Sequence, residues 1–269
     1  MAYDLRPHEP IPAEIQRVMR EQLDRIDGHL RGRDVHETRK RIKEIRSLLR
    51  LIRKPLAATF RRENAWYRDV AHELSATRDA EATLEAIGRL KDATQDSAQH
   101  ERLDAAQQRL EQRLGELAAA MNVEPLLARL EGARARIAEW PVLADDFQRT
   151  LVPGLRRTLR RGHDAHTRAT ATRAATDFHE LRKRVKDHWY HTRLTTASKK
   201  RAELVEQLSD VLGEQHDLVI TMAQIGDDTL LPLLTSERLR LEGEALHLAG
   251  ELYAKSARKW TKRVRAHLA

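Results

Sequence analysis

Several things are scarce or absent in this sequence. It has no cysteine among 269 residues, which excludes disulfides, thiolate metal ligands and cysteine nucleophiles. Aromatic residues make up only 4 %, so few rings are available for stacking on nucleic-acid bases. No stretch approaches the roughly 18 apolar residues that a membrane span needs. Residues 1–12 lack the apolar core of a signal peptide. We therefore expect a cytoplasmic protein that does not span a membrane.

Catalytic patterns are also absent. We find no glycine-rich phosphate loop, no serine elbow and no cluster of metal-binding carboxylates. Histidine pairs at i,i+3 occur in 163–166 and 188–191, but neither has a clear third ligand. These absences predict a binding module that is not an enzyme and that holds no metal and no cofactor.

What is present is charge on a helical period. Charged residues make up 33 % and the net charge is +8, which favours an anionic partner. Apolar residues recur at helical spacing almost throughout, and no run alternates as a strand would. The sequence therefore predicts an all-α fold. We expect several short breaks in this pattern: Gly28 to Asp34, Lys54-Pro55, Asn122 to Pro125, Trp140-Pro141, Gly162 to Thr176 and Gly226 to Asp228.

An internal duplication is the most informative feature. Residues 35–43 (VHETRKRIK) reappear as residues 178–186 (FHELRKRVK), with six of nine positions identical. A weaker pair, Leu74 to Asp79 and Leu212 to Asp217, follows at similar spacing. Matching order predicts two related helical halves, residues 10–140 and 141–269, with the boundary near Pro141.

The first copy predicts a helix over residues 35–54 with two distinct faces. Asp34 with Glu37, and Asp177 with Glu180 in the second copy, have the spacing of a capping box. One face of the first helix is an apolar core stripe: Thr38, Ile42, Ile45, Leu49 and Ile52. Beside it runs a cationic stripe, whose like charges repel each other until an anion binds: His36, Arg39, Lys43, Arg46, Arg50 and Arg53.

The second copy is less basic, because Trp189 stands where the first copy has Arg46. That tryptophan either fills a core or interface position or packs against a neighbouring arginine. Basic residues also precede the second copy and occupy the C-terminal segment: Lys255, Arg258, Lys259, Lys262, Arg263 and Arg265. Our remaining candidate anion ligands are Lys40, Arg157, Arg160, Arg161, His179, Arg182, Lys183, Lys186 and Arg193.

Both histidines lie in the first turn of their helices, where the helix dipole favours an anion and disfavours a protonated imidazole. A bound phosphate would help His36 and His179 take up a proton. We therefore expect tighter anion binding at mildly acidic pH.

Together these motifs resemble the CHAD domain, the conserved histidine α-helical domain, over about residues 10–268. The resemblance implies a pair of four-helix bundles related by pseudo-two-fold symmetry. It also implies binding of inorganic polyphosphate in a basic groove or pore lined by the two signature helices, which are the helices that carry the two copies of the repeated motif. Carried over, the ligands would be His36, Arg39, Lys43, Arg46 and Arg50 in the first copy and His179, Arg182, Lys186 and Arg193 in the second. Trp189 departs from the family pattern, which either weakens that side of the site or moves the contact elsewhere.

Other ligands and roles stay open at this point. Basic helices also bind nucleic acid, which is the main alternative partner. Association with polyphosphate granules is a further possibility for the protein's location. The segment Phe178-His-Glu-Leu-Arg182 resembles a histidine-kinase phosphoacceptor box, although the following Thr-Pro and a nucleotide-binding domain are missing. The sequence leaves the oligomeric state undefined.

Overall fold

The computed structural model describes residues 3–93, 96–195, 197–224, 228–254 and 256–269. Those residues form helices and contain no strand, which confirms the all-α prediction. Within them, no helix is both long enough and apolar enough to cross a bilayer.

The helices follow one another with short connections. In chain order they are α1 Ile11–Arg31, α2 Val35–Leu51, α3 Arg53–Leu56, α4 Ala58–Glu73, α5 Ser75–Ala93, α6 Ser97–Ala120, α7 Glu124–Ala138, α8 Phe147–Thr150, α9 Val152–Thr172, α10 Ala175–Thr195, α11 Lys199–Gln224, α12 Leu231–Tyr253 and α13 Ala257–Leu268. A single 3-10 turn, Asp228–Leu230, precedes α12.

The packing repeats between the two halves of the chain. Helix α1 packs on α2 as α9 packs on α10, and each of α1 and α9 carries a further helix, α7 and α13 respectively. A helix pair follows each signature helix, α5 with α6 and α11 with α12. The halves meet where α2 packs on α10 and where α5 packs on α11. The fold is therefore pseudo-symmetric, while the boundary near Pro141 stays a prediction.

The core stripe of α2 is buried as the sequence predicts. Thr38, Ile42, Ile45, Leu49 and Ile52 have no exposed surface. Burying an aliphatic side chain of this size stabilises the fold by about 1.5–3 kcal/mol. This face holds α2 in the centre of the molecule and leaves its polar flank for other contacts.

Helix α2 ends at Leu51, three residues earlier than predicted. Pro55 lies four residues later, has no N–H to donate to the Leu51 carbonyl, and its ring crowds that oxygen. The chain therefore breaks at Ile52 and continues as the single turn α3. The freed Leu51 carbonyl faces α9 at Gly154, where a Cβ atom would lie 2.0 Å from the oxygen. Only glycine allows the two backbones to approach this closely.

The sequence predicts two capping boxes. The structure confirms the Asp34 cap of the first box, and the prediction of the second box is wrong. The Asp34 side chain caps α2 by accepting from the Glu37 backbone N–H at 2.9 Å. Helix α10 instead begins at Ala175, so Asp177 lies inside its first turn and accepts from the Thr172 hydroxyl at 2.7 Å. The helix starts earlier because the Ala174 carbonyl already accepts the backbone N–H of Asp177.

The predicted break after Gly162 is also wrong over most of its length. Helix α9 runs without interruption through Gly162 to Thr172, and only a short turn separates it from α10. A Cβ at position 162 would lie 2.3 Å from the Tyr253 ring. Glycine is present here to admit that ring against the helix, not to end the helix.

Candidate functional site

The two signature helices meet at two reciprocal ion pairs. Arg50 of α2 donates from Nε to Oδ1 of Asp187 on α10 at 2.7 Å. Arg193 of α10 donates from Nη1 to Oε1 of Glu44 on α2 at 2.9 Å. Position 187 is the repeat equivalent of 44, and 193 is the equivalent of 50. The same contact is therefore made twice, in opposite directions, across the pseudo-two-fold axis.

Two adjoining cavities lie where the C-terminal end of α2 faces α9. Their volumes are about 310 Å³ and 760 Å³, and Arg50, Arg53 and Arg157 line both. We call them together the arginine basin. Ten basic side chains line it: Arg46, Arg50, Arg53, Lys54, Arg61, Arg156, Arg157, Arg160, Arg161 and Arg184. Among the described lining residues Asp187 is the single carboxylate, so the basin is strongly electropositive.

Burial and mutual repulsion both disfavour the charges in the basin. The pKa of Arg46 is lowered to about 10, mainly by burial and secondly by the charge of the nearby Arg50. Burial, followed by Arg53 and Arg161, lowers the pKa of Arg157. An arginine whose pKa is lowered in this way keeps its charge at neutral pH but is destabilised by it. A bound anion would remove that cost.

A second group of cations lies between the N-terminal parts of α2 and α10. We call Arg39, Lys43, Arg182 and Lys186 the inner cluster. The pKa of Lys43 is lowered to about 7, mainly by burial and secondly by the charges of Arg182 and Arg39. The pKa of Lys186 is lowered to about 8, mainly by burial and secondly by the charge of Arg182. Asp210 and Asp217 act in the opposite direction. At neutral pH Lys43 is therefore only partly protonated.

The two arginines of the inner cluster bond to backbone carbonyls. Arg39 donates to the carbonyl of Ala71 near the end of α4, and Arg182 donates to that of Leu212 inside α11 at 3.2 Å. Burial is also the main cause that lowers the pKa of each. Lys43 has no hydrogen-bond or ion-pair partner within the part of the chain that the structure describes.

The two predicted histidines have different surroundings. His36 is exposed at the start of α2, and its pKa is lowered by burial and by Arg78. His179 packs on His216, with ring centroids 4.8 Å apart, and burial followed by Lys183 lowers its pKa. Burial, followed by Arg182, lowers the pKa of His216 to about 3. Without a ligand, all three rings are neutral at pH 7.

Several predicted ligands are not on the basin. Lys40 and Lys183 instead face acids of their own helices, Glu37 at 2.7 Å and Glu180 at 3.9 Å. Arg193 contacts two aromatic rings: its Cζ lies 4.8 Å from the Trp189 ring and 5.7 Å from that of Tyr3.

Trp189 is partly buried between two cations, as one of its two predicted roles required. The Lys186 Nζ lies 4.7 Å from the Trp189 ring. Lys186 comes before Trp189 on the helix, and Arg193, which also contacts the ring, comes after it. Cations over a tryptophan face are stabilised by about 0.5–2 kcal/mol each. This aromatic position therefore holds two of the predicted ligands against the protein.

Sequence reasoning missed part of the basin wall. Arg184 and Asp187 come from α10, while Phe60, Arg61 and Asn64 come from α4. Asn64 accepts from the Nε of Arg46 at 3.3 Å. Arg184 belongs to the duplicated motif, so it could have been found there; the residues of α4 carry no motif that marks them.

The second histidine pair, 188–191, has structural partners. His191 hydrogen-bonds to Thr158 Oγ1 and to the Ser47 carbonyl, each at 2.8 Å, and His188 lies 3.1 Å from Arg201. In the described ranges, no group of three metal-ligating side chains comes together. In the weaker repeated segment, Arg78 pairs with Glu85 at 2.9 Å and Asp217 pairs with Arg89 at 3.5 Å.

Comparison with known families gives one match over most of the chain. The model of a family described as the CHAD domain matches residues 17–225. That span includes both signature helices and the whole lining of the arginine basin, and it ends before α12 and α13. A search of curated proteins found no match to the chain.

Proposed function

The chain belongs to the CHAD domain family, and on that premise we propose that it binds inorganic polyphosphate in the arginine basin without catalysing a reaction. One observation carries the proposal above all others. Ten cations converge on two connected cavities whose described lining includes a single carboxylate. A chain of phosphates would supply the missing negative charge along the length of the basin.

The residue types suit phosphate. The basin uses nine arginines and one lysine, and a guanidinium donates two parallel hydrogen bonds to phosphate oxygens. A polymer is favoured over a single phosphate because the cavities adjoin and share three arginines. Each further phosphate unit would meet further cations, so affinity is expected to rise with chain length.

We infer a binding role because the acids needed for metal-assisted hydrolysis are scarce in the basin. Asp187 already pairs with Arg50 at 2.7 Å and with Arg184 at 3.3 Å. Its oxygens are therefore engaged by cations of the same wall. Polyphosphate hydrolysis would ordinarily use a metal held by several carboxylates.

The inner cluster is proposed to extend the binding surface beyond the basin. Lys43 lies on the same helical stripe as Arg46 and Arg50, and Lys186 holds the equivalent position on α10. A passing phosphate would raise the pKa values of both lysines. Binding at this end would therefore take up protons. We further propose that a protein with this surface associates with polyphosphate granules in the cytoplasm.

The decisive experiment is a titration with long polyphosphate, short polyphosphate and duplex DNA at two salt concentrations. The proposal requires long polyphosphate to bind most tightly, with short polyphosphate next. DNA binding of equal strength would replace it with general polyanion binding, whose affinity falls steeply with salt.

A matched pair of double variants locates the site. Arg157→Ala/Arg161→Ala removes two charges from the basin and should weaken polyphosphate binding about 100-fold, since each charge-assisted bond contributes about 1.5–3 kcal/mol. Lys40→Ala/Lys183→Ala removes two charges from α2 and α10 outside the basin and should change affinity about threefold at most. Equal losses in the two variants would mean that net charge, not the basin, governs binding.

A further inference from the structure

A second basic cavity lies outside the arginine basin. It has a volume of about 260 Å³ and lies between the starts of α11 and α13. Its described lining shares no residue with the basin and contains no acid: Ser198, Lys200, Arg201, Ser256, Lys259, Trp260 and Arg263. We call it the α11–α13 cleft. Of the C-terminal basic residues, Lys259 and Arg263 line it, while Lys255 lies outside the described residues.

Arg201 is a buried cation in this cleft without an acidic partner. Only 6 % of its surface is exposed, and within the described residues no carboxylate lies within ion-pair distance. Its guanidinium contacts His188 at 3.1 Å and lies 5.0 Å from the Trp260 ring. Burial lowers the pKa of Arg201 to about 10. Buried charges in proteins are ordinarily paired, so this one lacks an anion.

Trp260 provides an independent observation. It is 2 % exposed, forms a wall of the cleft, and its indole Nε1–H has no acceptor among the described residues. Leaving such a donor buried and unpaired costs about 1–3 kcal/mol. An anion in the cleft would offer oxygens both to this N–H and to Arg201.

Two helices also begin at the cleft. The Ser198 hydroxyl accepts from the backbone N–H of Arg201 at 3.4 Å, and the Ser256 hydroxyl accepts from that of Lys259 at 3.4 Å. The partial positive charge of each helix start adds to that of Lys200, Arg201, Lys259 and Arg263. Four cations and two helix starts favour a small ligand with two negative charges.

We propose that the α11–α13 cleft binds a small phosphate dianion, either free orthophosphate or a phosphomonoester. Helix α13 lies outside the residues that match the CHAD domain, so the cleft is a feature of this chain beyond the family match. The cleft is smaller than the basin, which suits one phosphate group better than a polymer. This proposal does not depend on polyphosphate binding.

The test is calorimetric titration of the full chain with orthophosphate and with glycerol 3-phosphate. Lys259→Ala/Arg263→Ala removes two exposed cations of the cleft and should weaken binding at least about tenfold. The matched control, Lys262→Ala/Arg265→Ala, removes the same charge from α13 outside the cleft and should retain the affinity. Tighter binding of orthophosphate would identify the free ion, and tighter binding of the ester would identify a phosphomonoester.

Three results would overturn the proposal: equal losses in the two α13 variants, loss only in Arg157→Ala/Arg161→Ala, or no saturable binding of either compound at about 10 mM. Far-ultraviolet circular dichroism and the melting temperature check that each variant is folded. The basin variant also separates the two proposals. It should lose polyphosphate binding and keep orthophosphate binding, whereas failure of polyphosphate binding in the unmodified chain would leave the cleft result unaffected.

Discussion

Helices α2 and α10 carry nearly the same basic residues, yet their surroundings differ. Arg50 of α2 lines the arginine basin, beside the arginines of α9. Its repeat equivalent Arg193 lies outside the basin and contacts Trp189 and Tyr3, which comes from the start of the chain. The Leu5 backbone N–H also bonds to the Leu194 carbonyl and holds the start of the chain beside Arg193. The side chains of Arg50 and Arg193 are similarly exposed, 25 % and 32 %, so the duplicated ligands differ in their neighbours.

The halves differ again after the signature helices. In the first half the chain breaks at Leu74 between α4 and α5, whereas the equivalent Leu212 lies inside the continuous helix α11. The break redirects α5 away from α4, so that α5 packs against α11 of the other half. Helix α5 of the first half thus packs on α11 of the second half, beside the inner cluster.

The largest expected difference lies between the two reciprocal ion pairs. Glu44→Ala should lower the free energy of unfolding by about 3–5 kcal/mol, because it leaves Arg193 and Arg41 without a buried partner. Asp187→Ala should cost less, about 1–3 kcal/mol, since Asp187 lines the basin and keeps 9 % of its side chain exposed, whereas Glu44 keeps none. Urea denaturation measures both values. Equal costs would show that the two sides are equally buried in solution.

A smaller difference is expected between Lys43 and Lys186. The lowered pKa values mean that the folded chain binds fewer protons than the unfolded chain above about pH 7, so stability rises with pH from there towards pH 10. Lys43→Met should remove the contribution of Lys43 to this dependence and stabilise the unliganded protein at pH 7 by about 1–3 kcal/mol. Lys186→Met should gain less, because nearby acids already favour its charge. Thermal denaturation at pH 7 and pH 9 measures the stability gain of each variant. A larger gain for Lys186→Met than for Lys43→Met would contradict the prediction.

Arg50 and Arg193 offer the next comparison, in polyphosphate affinity. Each variant to alanine breaks one ion pair between the halves, so both should lose stability. Only Arg50→Ala removes a basin cation, and it should weaken polyphosphate binding about tenfold, or about 1.4 kcal/mol. Arg193→Ala should change affinity less than about threefold. Similar losses of affinity would mean that both ends of the groove are open to the ligand.

The smallest effect is expected from making the two helices alike. Trp189→Arg would place a third cation between Lys186 and Arg193, which now lie over the indole ring. We expect a loss of stability of about 1 kcal/mol and no gain in polyphosphate affinity, because the ring contacts are replaced by repulsion. Melting temperature and titration report the two quantities. A clear gain in affinity would instead identify Trp189 as the cause of the inequality.

The sequence predicted features whose causes are local. The apolar stripe of α2 and its Asp34 cap depend on spacing along one helix, and both are present in the structure. The early end of α2 was within reach as well, because the effect of Pro55 falls four residues back, at Leu51.

Features that join distant segments were beyond the sequence. Arg61 and Asn64 enter the basin only because α4 folds back beside α2. A glycine at position 162 is typical of the end of a helix, but its presence is explained by the Tyr253 ring, which comes from a distant helix. The ion pair of Arg50 with Asp187 joins residues 137 positions apart, and their place in a repeat gave no sign that the copies touch.

That reciprocal contact has a consequence for the origin of the molecule. In a symmetric dimer the interface is isologous: residue i of one subunit meets residue j of the other, and j meets i. The pairs Arg50–Asp187 and Arg193–Glu44 follow this rule within a single polypeptide. A half-length protein with this signature helix would bring its arginine to its own carboxylate position only by associating with a second copy. The centre of the chain thus has the geometry of a homodimer interface within one polypeptide, and a single chain allows the two arginines to have different neighbours.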